Sequence, residues 1–435
     1  MDTTYLVEIR LSRTKWRIRQ IMEDIGRNFD IRDSLEPHPH VTLFGPLSLN
    51  EGVSNRQMLE AVGSVAARYD PVPFLLDGWE KRDGMHGSVI AFPVRASEPL
   101  RQLTRDIAHV LSPLTISQNA WDAEPDQKWF HVTIANHLGP DQASKVYFQL
   151  TGKAQKVRDQ EGLYRKNPGL LMRFLAGGRA EKPLHSIPPV LLDETGIRIT
   201  VMKDMTILAE YDLIGKQWVY GDHRHSAARW QRTLEEFRHH AGFEHRDPEP
   251  VDSDIFLIAD LHLGHANIIR FCSRPFLFSD SREMDHVLIK NWNYTISPKT
   301  RIYCLGDLVY GADAEPASLY QKRLRGDIVF IRGNHDDKES MTIPFVEIEY
   351  DNLRFLLIHD PAEAPPSFDG WVIHGHYHNN DLRNYPFMNF TGRRINVSAE
   401  VIGYKPVSLG EIVHRIRKRE VSGDTTPILF RYPFE

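Results

Sequence analysis

From Asp254 onward the sequence repeats one device, a short apolar run that breaks off into a cluster of Gly, Asp, Asn or His. DIFLIAD, RIYCLGD, DIVFIRGNHD, RFLLIHD, GWVIHGHYH and RRINVSAE all follow it. Uninterrupted runs of this length read as strands buried on both faces, which deliver polar residues to loops at one edge of a covered sheet. Five of the run ends carry metal-binding side chains: Asp260-Leu-His262, Gly306-Asp307, Gly333-Asn334-His335-Asp336, His359-Asp360 and Gly375-His376-Tyr377-His378. One strand-end Asp is ordinarily a turn former, and one His is ordinarily a satisfied surface or core residue. Five such blocks in about 120 residues, with glycines where backbone must approach closely, point instead to a metal site. Mixed Asp, Asn and His ligands favour Mn, Fe, Ni, Co or Zn over the all-oxygen sites of Mg or Ca without choosing among them; manganese is the working choice.

The first half has a different texture. TYLVEIRL (4 to 11) alternates as a strand does, and RTKWRIRQIMEDIGRNF places Trp16, Ile18, Ile21, Met22 and Ile25 on one helical face. Further strands are predicted at HVTLFG (40 to 45), SVIAFPV (88 to 94), FHVTIA (130 to 135) and in the pair GIRITVMKD and MTILAEYDLI near 196 to 214. SEPLRQLTRDIAHVLSPL reads as a helix with Pro99 near its start. The stretch from about 139 to 190 is mixed and carries no clear periodicity. After Tyr220, HSAARWQRTLEEFRHHAG reads as a polar helix, and FEHRDPEPVDSD as an acidic, proline-bearing boundary. The expected division is therefore 1–222, a helical and acidic linker at 223–253, and 254–435.

One string occurs twice in the first half, as HPHVTLFGPL at 38 to 47 and WFHVTIANHL at 129 to 138. Alternation with Val41, Leu43, Val132 and Ile134 directs His40 and Thr42 to one face of their strand, and His131 and Thr133 to one face of theirs. Taken singly, each is an ordinary strand with a solvated face, and His86-Gly-Ser88 shows how easily His-x-Ser/Thr arises by chance. As a pair they match a specific need. Opening a cyclic phosphodiester takes a base for water and an acid for the leaving ribose oxygen, and hydroxyls stabilise the phosphate oxygens. No metal is required there. Phe44, Trp129 and Phe130 beside the motifs are expected to be core, although aromatics in such places also stack on bases.

Composition narrows the setting. At 435 residues the chain exceeds one ordinary core, and a formal charge of −5 lacks the basic excess of a protein that tracks long DNA. Cys272 and Cys304 make no CxxC and cannot form a disulfide framework, which suggests a reducing compartment. No apolar run nears the roughly 18 residues of a membrane span, and the charged start lacks a signal peptide's apolar core. The expected location is the cytoplasm, with no membrane partner.

The first half, over roughly 1 to 222, resembles the two-histidine (2H) phosphoesterases, among them RNA 2′,3′-cyclic phosphodiesterases, whose bilobal α+β fold sets one His-x-Thr/Ser motif in each lobe. The resemblance carries catalytic roles to His40, Thr42, His131 and Thr133, leaves open which histidine is acid and which base, and implies no cofactor. From about 254 to at least 410 the chain resembles the calcineurin-like metallophosphoesterases, with an α/β sandwich of two sheets flanked by helices. That resemblance implies two divalent transition metals, one on Asp260, His262 and His378, the other on Asn334, His359 and His376, bridged by Asp307. It makes His335 the catalytic histidine at the phosphate. Two cations on the order of 4 Å apart bind a phosphate and activate a water for in-line attack. Relatives often carry an acid three residues after the bridging aspartate; here the residue is Tyr310, and no role transfers. His265 is a candidate for substrate contact, weighed against capping or support by His265, Asn267 and Arg270.

Together the two resemblances imply a bifunctional hydrolase. The first head opens 2′,3′-cyclic phosphate ends of RNA or nucleotides to a phosphomonoester, expected to be the 2′ isomer, and the second removes the phosphate, as in RNA end repair. One alternative keeps the chemistry on small cyclic nucleotides, 2′-5′ oligonucleotides or cyclic-phosphate metabolites. Another makes the first domain a non-catalytic nucleotide-binding module for a metal phosphatase.

Overall fold

The computed structural model describes residues 3–31, 35, 38–84, 87–151, 191–220, 227–241, 254–277, 280–312, 314–336 and 341–432. His86, most of the mixed 139 to 190 stretch and the acidic part of the boundary lie outside the described residues.

The alternating start becomes β1 (Tyr5–Arg10), and the amphipathic segment after it becomes α1 (Lys15–Phe29), which buries Ile18, Ile21, Met22 and Ile25. Then follow β2 (His40–Leu49), α2 (Asn55–Ala66), β3 (Val72–Asp77), β4 (Glu80–Gly84) and β5 (Gly87–Ala96). Helix α3 (Glu98–Leu111) starts where Ser97 caps the Leu100 amide with Pro99 in the first turn. Next come β6 (Thr115–Ser117), β7 (His131–Leu138), α4 (Pro140–Thr151), β8 (Leu191–Gly196), β9 (Arg198–Lys203), β10 (Thr206–Asp212) and β11 (Gln217–Val219). One sheet runs β11-β10-β9-β1-β2-β6; the second runs β4-β5-β3-β8 with β7 along the other side of β5. Each HVT motif thus lies in a different sheet. The Leu35↔Ala135 bridge ties the connection before β2 to β7. Val41, Leu43, Val132 and Ile134 are fully buried, while the histidines and threonines between them are half-buried, as alternation requires.

Helix α5 (Ala227–His240), read from sequence as polar, is docked through Thr233, Leu234 and Phe237. Its Arg238 donates to the Pro275 carbonyl at 2.9 Å and to Glu283. Phe237 belongs to the same buried cluster as the second half's core, and so do Leu191 and Ile197.

The second half opens with β12 (Ile255–Ile258), α6 (Ala266–Phe271), α7 (Arg282–Thr295), β13 (Arg301–Leu305), α8 (Ala317–Gln321) and β14 (Asp327–Ile331). It continues with β15 (Phe345–Tyr350), β16 (Leu353–Ile358), β17 (Trp371–His374), β18 (Met388–Asn389), β19 (Arg394–Asn396), β20 (Val407–Ser408) and α9 (Leu409–Ser422). One sheet is β14-β13-β12-β20, with β12, β13 and β14 parallel; the other is β15-β16-β17-β19-β18, with β16, β17 and β19 parallel. A bridge from Ala259 to Ser398 links them. The two-sheet α/β architecture that the resemblance implied is present, and the parallel strands end together, where open α/β sheets hold ligands. Among the described residues no helix is long and apolar enough to cross a membrane.

Candidate functional site

Asp260 follows β12, Asp307 follows β13, Asn334 follows β14, His359 follows β16 and His376 follows β17, so the five strand ends converge on one locus. The backbone is forced into place there. Asp260, His262, Asp307, His376 and His378 all have positive φ, between 49° and 70°. L-residues avoid this region at a cost of order 1–3 kcal/mol each, and packing holds them there chiefly at functional sites. Gly375 shows how close the approach is, since a Cβ there would stand 2.5 Å from the Asp260 carboxylate.

All seven predicted ligands are brought together. Ligand atoms of Asp260, His262 and His378 lie within 4.8 Å of one another, as do those of Asp260, Asp307 and His359. His359 Nδ1 sits 2.8 Å from the Leu305 carbonyl. A carbonyl only accepts, so in the neutral ring Nε2 is a lone pair, and it faces Asn334 Oδ1 at 2.9 Å. His376 Nδ1 joins them, 2.9 Å from Asn334 Oδ1 and 3.3 Å from His359 Nε2. Asp307 Oδ2 lies 3.4 Å from His262 Nε2 and 3.5 Å from His359 Nε2, between the two groups. Both ring nitrogens of His262 are buried without a hydrogen-bond partner. Converging lone pairs and an orphaned buried imidazole fit divalent cations as the missing partners. His335 is the more open member: its side chain is 39% exposed, and its Nε2 is 4.0 Å from Asp307 Oδ2.

Two supporting residues, Glu400 and Arg274, have no signal in the spacing. Glu400 faces His378 Nδ1 at 3.3 Å, leaving Nε2 for the ligand cluster. Arg274 pairs with Glu400 and donates to the carbonyls of Asp260 and Leu261 at 2.7 and 2.8 Å. The Asp336 carboxylate accepts from the amides of Asp307, Leu308 and Gly333 and shapes two of the loops. His265 precedes α6 without capping it, and its ring stands 4.7 Å from Tyr310.

The two HVT strands approach each other across their sheets. The histidines are set alike: His40 Nδ1 lies 3.0 Å from the His38 carbonyl, and His131 Nδ1 lies 2.9 Å from the Trp129 carbonyl. Each carbonyl accepts from Nδ1–H and so puts the neutral ring's lone pair on Nε2. Their surroundings differ. Glu8, opposite Thr42 on β1, puts Oε2 3.7 Å from His40 Nε2 and receives His38 Nε2 at 3.1 Å. Burial alone would raise the Glu8 carboxyl, but His38, His40 and Arg10 outweigh it and hold it below the usual range. Glu8, His38 and His40 also come within metal-binding distance of one another, but Arg10 Nε on the same carboxylate at 3.0 Å makes this an ion-pair network.

His131 stacks on Trp129 with centroids 3.7 Å apart, and the Arg82 guanidinium lies over the same indole at 3.9 Å. Burial, assisted by His40, Lys128 and Arg82, pulls His131 down to about 4. Phe44 and Phe130 are core as expected, with 1% and 5% exposure. Trp129 is not: it is half-buried and part of the site, because its place just before β7 lays the indole along the His131 ring.

Comparison with known proteins agrees with both halves. The model of the 2′-5′ RNA ligase superfamily matches residues 10–160, and that of the calcineurin-like phosphoesterases matches 253–420. An uncharacterized protein of Methanocaldococcus jannaschii is 50% identical over 169 residues, 38% of this chain and 93% of that protein. A protein of unknown function from Aquifex aeolicus shares 26% identity over 38% of this chain and 99% of its own, with a TM-score of 0.30. E. coli LigT, solved with 3′-AMP, shares 12% identity over 49% of this chain and 98% of its own, with a TM-score of 0.26. The chain therefore joins a domain of the 2′-5′ RNA ligase, or 2H phosphoesterase, superfamily to a calcineurin-like metallophosphoesterase domain.

Proposed function

We propose that the protein heals RNA ends in two steps. The 2H domain opens a 2′,3′-cyclic phosphate to a phosphomonoester, expected to be the 2′ isomer, and the metallophosphoesterase domain then hydrolyses the monoester to leave a 2′,3′-diol. The observation that carries the first step is the matched pair of imidazoles with opposite surroundings, His40 beside a carboxylate and His131 beside two cations. In this reading His131 is the base that takes the water proton, His40 is the acid that protonates the leaving ribose oxygen, and Thr42 and Thr133 hold the phosphate oxygens. No metal takes part in that step.

In the second domain Asp260, His262 and His378 would hold one metal and Asn334, His359 and His376 the other, with Asp307 shared. Bound there, divalent cations, manganese by preference, would supply Lewis-acid stabilisation of the phosphate and a nucleophile at neutral pH. Glu400 and Asp336 keep the ligand residues oriented, and the open His335 ring protonates or steadies the phosphate group. Physical linkage keeps the intermediate at high local concentration near the second site.

A mass-resolved time course on a short RNA with a 2′,3′-cyclic phosphate end tests the reading. Opening in EDTA, followed by loss of phosphate only when manganese is added, is the expected result. A cyclic end that survives both conditions would reject RNA end healing and move attention to small cyclic nucleotides.

The pH profile follows from His131. A base must be deprotonated to act, and a ring held near 4 stays neutral through the mildly acidic range, so the acid limb of cyclic-end opening should fall only near pH 4. Trp129→Ala exposes the ring and should move that limb toward the ordinary imidazole value of about 6.5. Initial rates between pH 4 and 8 for both proteins decide it; an unmoved limb would remove His131 as base.

A further inference from the structure

The first turn of α1 carries Lys15, Trp16 and Arg17 and no acidic residue, although the positive end of a helix favours acids. Thr14, at the cap, gives its hydroxyl to Glu194 instead of the helix. This turn meets the metal domain. Trp16 packs 5.5 Å from Phe271, the last residue of α6, and Arg17 donates to Asn380 at 2.8 Å, in the loop that carries His376 and His378. Rings continue from there to the metal centre: Phe271 to His265 at 6.2 Å, His265 to Tyr310 at 4.7 Å, and Tyr310 to His335 at 4.3 Å. Phe271 is 45% exposed and Tyr310 42%. Large rings left open in a row beside a reactive centre mark a binding surface more often than a chance of folding.

Cations accompany the rings. Arg17 is held by the side-chain and backbone oxygens of Asn380, with no carboxylate among its hydrogen-bond partners in the described residues, and burial pulls it below its ordinary value. Lys15 makes no ion pair among the described residues; burial, then Arg19 and Arg10, draw it down to about 8 against a weak pull from Glu210. A desolvated cation without a counter-charge is unfavourable, and a phosphate is the counter-charge that this surface lacks. Arg10, itself paired with Glu8, is the cross-strand partner of His40, so the basic row reaches the 2H cleft although its last member already has a counter-charge.

We propose that these rings and cations form a track for a single RNA strand, running from the 2H cleft over the first turn of α1 to the metal centre. Bases stack on Phe271 and Tyr310 while backbone phosphates meet Lys15 and its neighbouring arginines, the combination by which single-stranded nucleic acid is held without reading its sequence. The inference rests on the reading that both heads act on RNA ends, and it adds that the substrate is a strand of several nucleotides.

Binding can be measured apart from turnover. A fluorescein-labelled RNA of ten nucleotides ending in a 2′,3′-diol is the product of both proposed steps, so its anisotropy titration against the full chain in EDTA needs no chemistry from either head. The single strand should bind more tightly than a duplex of the same sequence. Phe271→Ala and Tyr310→Ala should each weaken it about 10-fold or more, and Phe271→Tyr should restore it. Lys15→Gln should reduce the salt dependence by about 0.7, the share of one phosphate contact on a single strand. Equal affinity for duplex, unchanged affinity in both alanine variants, or equal competition by a mononucleotide would overturn the track. None of these outcomes depends on whether the cyclic end is opened, so the track and the proposed reactions fail separately.

Discussion

His40→Ala should slow opening of a cyclic phosphate by about 10²- to 10⁴-fold, the usual contribution of one acid or base, and leave phosphate release from a ready-made monoester at the wild-type rate. Asp307→Ala should do the reverse. Its carboxylate stands between His262 and His359 at 3.4 and 3.5 Å, so both halves of the ligand cluster lose a shared member. Charge stabilisation worth several kcal/mol then disappears from the phosphate, a loss of about 10³-fold or more. Parallel assays on the two substrates read both variants. If either substitution stopped both reactions, the division of labour between the heads would be wrong.

Glu400→Ala should have the largest effect on the fold. Glu400 and Arg274 are fully buried against each other, and the carboxyl is drawn down to about 2, because Arg274 and then His378 outweigh its burial. Removing the acid leaves a buried guanidinium unpaired, which destabilises by about 3–5 kcal/mol. It also frees the His378 ring, and loss of such an outer partner costs about 10- to 100-fold in metal affinity. Urea unfolding and a manganese competition titration measure the two effects independently. Glu400→Gln, which keeps shape and one hydrogen bond, should recover part of the stability. A variant as stable as the wild type would mean that Arg274 is satisfied by its two backbone carbonyls alone.

What the sequence revealed and what it hid divide along a physical line. The candidate metal ligands were legible because they sit where apolar runs stop, and a buried parallel strand must end at the same sheet edge as its neighbours. The HVT pair was legible because alternation fixes which side chains share a face. Glu8 and Glu400 were not, since the one meets Thr42 and the other His378 only through pairing between distant segments. Trp129 was read as core because its residue type favours burial; the stack on His131 depends on the turn into β7, which no periodicity reports. Helix α5 looked solvated for a related reason. Its buried face is short, and Thr233 and Arg238 contribute to it as hydrogen-bonding groups.

The left-handed backbone at five candidate ligand positions restricts which metals this scaffold can come to prefer. A soft, thiolate-rich centre would need cysteines, and β-branched or bulky residues would need still more strain at those points. Asn, Asp and His are the non-glycine residues most at home with such torsions, and Asp and His are the candidate ligands that stand at all five. Chain geometry and coordination chemistry therefore select the same three-letter alphabet. Drift in metal preference is channelled into exchanges among those three, and the borderline metals they favour are reachable by single steps.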